Sequence, residues 1–342
     1  MAHTIAVPRS LTSNSAVAFA QEIMGLPDDD EYVFDFEKLD WLEPFGMLFT
    51  AQALKVFSAR KKAEGPIRCR AQNHQKHNYY AHMGFFQAFD LKFGKKLGVA
   101  PGGKNYLPIT ELNIDDLYTN ARDTGQVIGE VVTEHAASIA RVLTREEEGN
   151  LFETVRYAVR EMLRNAAEHS ISKTVRYCGQ FWPTKHKVQL AILDSGTGIA
   201  KSLSKNPYLE IGDDADALKL ATLPGISGKM YDGVEVRPYD DWQNSGYGLY
   251  MIYRMCRSAG SLFMTSNDAT LEVISNTHKA TPQAGLPGGT SIRIQLDTRK
   301  LDSLDRQLQQ YKREGKEQAE KIVGAQTVRA SAASLMLHSE EE

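Results

Sequence analysis

Glu161-Met-Leu-Arg-Asn165-Ala-Ala-Glu-His-Ser170 is the stretch around which the chain is organised. Its composition favours a helix, and helical geometry sets the carboxylate of Glu161 and the carboxamide of Asn165 at i and i+4 on one face. Phe152, Val155, Val159, Met162, Leu163 and Ala166 recur at helical spacing, so the polar pair borders an apolar stripe. Two glycine-interrupted turns follow. Asp194-Ser-Gly-Thr-Gly198 comes directly after a strand expected over 188–193, and Gly246-Tyr-Gly-Leu249 opens a helix over 249–258. Near the end, Gly288-Gly-Thr290 leads into a strand over 291–296.

Each turn has a chemistry. A carboxylate fixed at a strand end, beside glycines that let the backbone turn tightly and admit a flat ring, accepts a hydrogen bond from an exocyclic amine. That reading suits Asp194, Gly196 and Gly198. Glycines at the start of a helix expose backbone N–H groups and the positive end of the helix dipole, which suits phosphate oxygens. That reading suits Gly246 and Gly248, and the Thr290 hydroxyl stands ready to bond the same base as Asp194.

The ordered set (helix, strand pair, acidic glycine turn, long irregular segment, glycine turn, helix, strands, Gly-Gly-Thr, strand) resembles the GHKL ATPases, the Bergerat-fold superfamily of gyrase and the histidine kinases. Glu161 to Asn165 looks like the N box, Asp194 to Gly198 like the G1 box, and Gly246-Tyr247-Gly248-Leu249 like the G2 box. The resemblance implies ATP and Mg²⁺ as ligands. By it, Asn165 would coordinate Mg²⁺, Glu161 would orient or deprotonate the attacking water or hydroxyl, and Asp194 with Thr290 would read the adenine. The G2 turn would hold phosphate, and 200–244 would be the lid over the nucleotide. Closest in wording are the anti-sigma-factor and histidine-kinase-like members, through Asn165-Ala-Ala-Glu-His169. One departure stands out: where the family often continues Gly-x-Gly-Leu-Gly, this chain has Tyr250. Within the lid, Pro224-Gly-Ile-Ser-Gly-Lys229 reads as a flexible tip whose lysine is solvated, and His169 as a polar helix-end residue.

Working outward, the first third alternates strand and helix. Strands are expected over 4–7, 32–36 and 67–71, and helices near 17–23, 45–57 and 79–89, which argues for an α/β unit. The run 32–54 resembles the strand, loop and helix of a STAS domain, as found in anti-sigma-factor antagonists. The family's phosphoacceptor loop corresponds to Glu43-Pro-Phe-Gly46, where Pro44 and Phe45 replace the acceptor hydroxyls, so this loop cannot be phosphorylated. Residues 94–105 read as a basic loop and lack the Gly-x-x-x-x-Gly-Lys-Ser/Thr pattern of a P-loop. A helix is expected over 125–141, and a hairpin joins strands over 175–181 and 188–193 through Pro183. The fold class is therefore α+β in two domains: a STAS-like α/β lobe over 1–112 and a Bergerat-type α/β sandwich over 113–300. A polar C-terminal helix and disordered tail take up 301–342. That helix carries Leu301, Leu304, Leu308 and Tyr311 at helical spacing, and serves equally to pair with a partner helix or to lie across the ATPase sheet.

Bulk properties bound the rest. The chain has 342 residues, 42% hydrophobic and 24% charged, with a net charge of −3. That is the composition of a soluble globular protein with no whole-chain attraction to nucleic acid. There is no apolar run of membrane-spanning length and no secretory signal pattern, and Cys69, Cys178 and Cys256 are scattered, so a reduced cytoplasmic setting is expected. Three activities follow from the resemblance: an ATP-dependent conformational switch in bacterial signalling or defence, acting on a protein partner or as a homodimer with slow ATP hydrolysis; a serine or histidine protein kinase acting on a separate protein; or an interaction module independent of nucleotide. His135 is followed by Ala136-Ala-Ser rather than the acidic residue and proline of a histidine-kinase acceptor, which argues against self-phosphorylation there.

Overall fold

The computed structural model describes residues 2–100, 102–169, 172–231 and 246–325. Ser170, the side chain of His169, the remainder of the expected lid and the acidic tail lie outside the described residues. The N-terminal lobe runs β1 (Ala2–Ala6), β2 (Ser10–Leu11), α1 (Ser13–Met24), β3 (Glu31–Asp35), β4 (Trp41–Leu42), α2 (Pro44–Glu64) and β5 (Arg68–Gln72). Short helices α3 (Asn78–His82) and α4 (Phe85–Ala88) follow. Strands β1, β3 and β5 form a parallel sheet in that order, as βαβ connections require. Where one helix over 79–89 is expected, there are two. Gly84, at φ +83°, takes a left-handed conformation that ends the first and starts the second.

The chain continues through β6 (Tyr106–Asn113), α5 (Ile114–Thr124), α6 (Ile128–Thr144), α7 (Asn150–His169), β7 (Thr174–Trp182) and β8 (Lys187–Asp194). Then come α8 (Ile199–Leu203), α9 (Asp214–Ala221), α10 (Gly248–Ala259), β9 (Gly260–Ser266), β10 (Ala269–Ile274), β11 (Thr277–Pro282), β12 (Thr290–Asp297) and α11 (Leu304–Ala319). β6 and α5 lie in a stretch where no element was expected. Gly125 is not helical: at φ +70° it caps α5, and α6 starts three residues later. Nor is 200–244 wholly irregular, because α9 and the end of α8 fall within it.

Seven strands form one antiparallel sheet in the order β11-β10-β9-β12-β8-β7-β6. Its two faces meet different partners, and alternation along each strand decides which side chain goes where. Val188, Leu190 and Ile192 of β8 join the core shared with α6, α7 and α10. Ala191 and Leu193 point the other way, into a core shared with Phe45, Phe49 and the rest of the N-terminal lobe. Burial on both sides explains why β8 over 188–193 is apolar on both faces apart from the buried Gln189.

Helix α11 lies on the helical layer, against α10 and α7, not across the sheet. Its Leu304, Leu308 and Tyr311 are buried there, so the apolar stripe is satisfied within the chain. Among the described residues, no helix is long and apolar enough to cross a membrane.

Candidate functional site

β8 ends on Asp194, and antiparallel register places Thr290 of β12 directly beside it. One pair earlier on the same face, Ile192 lies opposite Ile292. Two residues almost a hundred positions apart in sequence thus become neighbours because a single strand pair holds them. After Asp194 the chain reverses at once: the carboxylate Oδ1 accepts a hydrogen bond from the Gly196 N–H at 2.8 Å, which closes the turn. Gly289, at φ +75°, passes so close to the Asp194 carbonyl that a Cβ there would overlap it.

Helix α7 supplies Met162, Asn165 and Ala166 at spacings of three and one, which share a face. α10 begins at Gly248, with Gly246 at φ +69° in the preceding turn, and its first backbone N–H groups lack intrahelical partners. Between these elements lies a cavity open to solvent, with about 880 Å³ of empty space when its open mouth is counted. Asn165, Asp194, Gly198, Gly246, Gly248, Leu249 and Thr290 all line it. Ile192 and Ile292 contribute an apolar strip to its wall, suited to the flat face of a ring.

Three of the expected site residues do not line this cavity. Gly196 spends its N–H on Asp194. Tyr247 is 2% exposed and turns towards α11, where its ring meets Tyr250 at 6.2 Å. Glu161 is wholly buried behind Gly248, so close that a Cβ on that glycine would overlap its carboxylate. There it forms an ion pair with Arg164 at 3.3 Å, and Arg164 reaches Glu168 at 3.3 Å. Burial pulls the Arg164 pKa down, but the two carboxylates more than offset this and raise it. The neighbouring Tyr157 phenol is pushed up by burial and by Glu161, so it stays neutral.

The segment read as a flexible tip is packed. Residues 224–228 are buried, Ile226 and Ser227 line the cavity, and Ser227 Oγ accepts from the Lys229 N–H at 3.1 Å. Lys229 itself is exposed. Met162, Leu203 and Ile226 were missed as lining residues because an apolar residue over a ligand reads like any other core residue. Tyr250, the departure from the glycine pattern, is 1% exposed, and its hydroxyl accepts from Arg254 Nη1 at 2.7 Å. Its ring fits against Gly315 of α11, where a Cβ would stand 2.7 Å away.

Residues 124–268 match the family model of the histidine kinase-like ATPase domain. This part of the chain is a GHKL-type ATPase domain. The match takes in α6, α7, the hairpin of β7 and β8, both glycine turns and β9, and it ends before Thr290. The N-terminal lobe, β12 and α11 lie outside it. No curated protein matches the chain. Within the ATPase domain, His135 packs edge-on against Tyr177 with its Nε2 3.2 Å from the phenol oxygen, and burial lowers its pKa. It is a packed side chain on α6.

Proposed function

We propose that the chain binds Mg-ATP in the cavity bounded by α7, the β8 end and the α10 start, and works as an ATP-gated switch on a protein partner. The observation that carries this is convergence. Seven residues picked from four separate motifs line one cavity of the ATPase domain. In this reading Asp194 and Thr290 take the adenine edge, and Ile192 and Ile292 lie along the ring. The open N–H groups at the start of α10 take phosphate oxygens. A Mg²⁺ ion needs few protein ligands when phosphates and water fill its octahedron, and the single amide oxygen of Asn165 at the cavity wall suits that donor set.

Glu161 is the general base of this reading. It would act on water only after leaving its ion pair with Arg164, so slow turnover is expected. Slow hydrolysis fits a switch that is reset by turnover. We further propose the division 1–112, 113–300 and 301–342, with β6 as the seam. Its pairing with β7 and the packing of Ile109 into the N-terminal core support that seam. The STAS likeness of 32–54 is kept as a proposal, supported by a parallel strand, β3, that leads through β4 into α2.

A thermal-shift titration tests the central claim. ATP should raise the melting temperature in a Mg²⁺-dependent way, and absence of a shift with any nucleotide refutes the reading. Glu161→Ala should retain binding and lose phosphate release; unchanged release removes Glu161 from the chemistry. Labelled γ-phosphate appearing on a second protein would replace the switch with a kinase.

A further inference from the structure

Ser195 lies between Asp194 and Gly196 in the turn at the cavity, yet it is not among the lining residues. Its hydroxyl faces the N-terminal lobe. Gln52 Nε2 of α2 donates to Ser195 Oγ at 3.0 Å, a bond between residues 143 positions apart. Gln52 is 7% exposed, so its amide is committed to this direction by the packing around it.

The helix that presents Gln52 is firmly seated. Phe45, Phe49 and Gln52 stand at i, i+4 and i+7, one stripe facing the sheet. Phe45 stacks on Phe49 at 5.3 Å and meets Phe263 of β9 edge-on at 5.2 Å. At the N-terminus of α2, Glu43 pairs with Lys187 at 3.1 Å and accepts from Gln189 Nε2 at 3.2 Å. The turn that receives Gln52 is pressed from the other side by Gly289, where a Cβ would lie 3.0 Å from the Ser195 Cα. One turn is therefore held between β12 on one side and the N-terminal lobe on the other.

We propose that Gln52 is a positioning residue for the Asp194 turn, and that through it the seating of the N-terminal lobe and nucleotide binding are energetically coupled. The inference rests on the ATP reading above. Coupling is reciprocal: displacing α2 from the sheet weakens nucleotide binding, and nucleotide binding tightens the hold on α2. A ligand of the lobe that moved α2 would thereby change ATP affinity without entering the cavity.

Calorimetric titration of the full chain with Mg-ATP tests this, using Gln52→Met, which keeps the volume and removes the donor, and Ser195→Ala. Because Ser195 is exposed and water competes for its hydroxyl, each single variant should raise Kd about three- to fivefold, in keeping with one modest hydrogen bond. The double variant should be no worse than either single, since both remove the same bond. A packing role alone would lower the melting temperature of Gln52→Met and leave Kd unchanged. Hydrogen exchange adds a second readout: saturating ATP should slow the α2 amides in the wild type and not in Gln52→Met. If Gln52→Met folds poorly, Ser195→Ala alone decides, since it alters an exposed turn residue. Kd values within 1.5-fold of wild type in the well-folded variants overturn the proposal. A wild type that does not bind ATP overturns the underlying reading first, before any variant is needed.

Discussion

The two faces of the seven-stranded sheet are buried by different means. On the nucleotide face, Val188, Leu190, Ile192, Leu262, Met264 and Ile294 pack against amphipathic helices, and the layer opens at the site where glycine turns replace side chains. On the opposite face the contact is aromatic and polar at once. Phe45 and Phe263 meet edge to face, while Glu43, Lys187, Gln189, Gln295 and Arg293 form a seam of hydrogen bonds and charge around them. Arg293 is 8% exposed, its pKa lowered by burial, and it bonds Ser261 Oγ at 2.8 Å and lies over the Phe263 ring. The first face leaves room for a ligand. The second ties two lobes together, with a separate cavity at their junction lined by residues that include Trp41, Tyr80, Gln180 and Trp182. Polar groups there must be paired in one arrangement, because an unpaired buried donor or charge costs more than the bond is worth.

The largest expected effect tests whether the second face is structural. Phe45→Ala removes a ring that is 1% exposed and should cost about 3–5 kcal/mol in chemical denaturation. It should lower a single shared transition; two separate transitions would mean that the lobes fold independently and the contrast between the faces is one of docking. Next, Asp194→Asn tests the nucleotide face. It should weaken ATP binding by about 1.5–3 kcal/mol, roughly ten- to a hundredfold, because it removes the charge from a hydrogen bond. Its stability should change by less than about 1 kcal/mol, and a larger loss would make Asp194 a structural residue.

Gly315→Ala probes the layer behind the cavity, where the new methyl meets the Tyr250 ring at 2.7 Å and Tyr247 at 3.1 Å. Overpacking of about 1–3 kcal/mol is partly offset by the better helix propensity of alanine, about 1 kcal/mol. A net loss of up to about 2 kcal/mol in denaturation is expected, and a stabilised variant would show that α11 yields easily.

The smallest effect is with pH. Burial lowers the pKa of His74 in the N-terminal lobe and of His135 in the ATPase domain below the ordinary 6.5. Below pH 6.5 the unfolded chain binds protons that the folded chain refuses, so stability is full above that value and falls as pH drops through the window beneath it. His135→Gln should flatten part of that slope. A slope that does not change would assign the acid sensitivity to other groups.

Much of the nucleotide face was legible in the sequence. Each glycine turn is a common feature by itself, but their order along the chain pointed to Asn165, Asp194, Gly198, Gly246, Gly248, Leu249 and Thr290, which line one cavity. The orientation of Glu161 and Tyr247 was not legible, since periodicity names a face of a helix but not what waits on that face. β6 was hidden for another reason: Pro108 and Glu111 break the apolar pattern of what is an edge strand, where the missing N–H of proline is tolerated. The second face was the least legible. In β12, Ser291, Arg293 and Gln295 alternate with Ile292, Ile294 and Leu296, the pattern of a strand with one side in water, yet Ser291 and Arg293 are buried.

By itself, then, the amino-acid order determined the local elements and the opening stretch from Glu161 to His169 as a helix with a polar edge, because hydrophobic period and glycine placement are local properties. Which polar edge meets the cavity was decided only by tertiary structure. Asn165 reaches it and Glu161 is folded away behind Gly248, because the approach of α10 to α7 leaves space on one side of that edge and not on the other. The joining of Gln52 to Ser195 was decided in the same way, by a helix from one lobe lying across the sheet of the other.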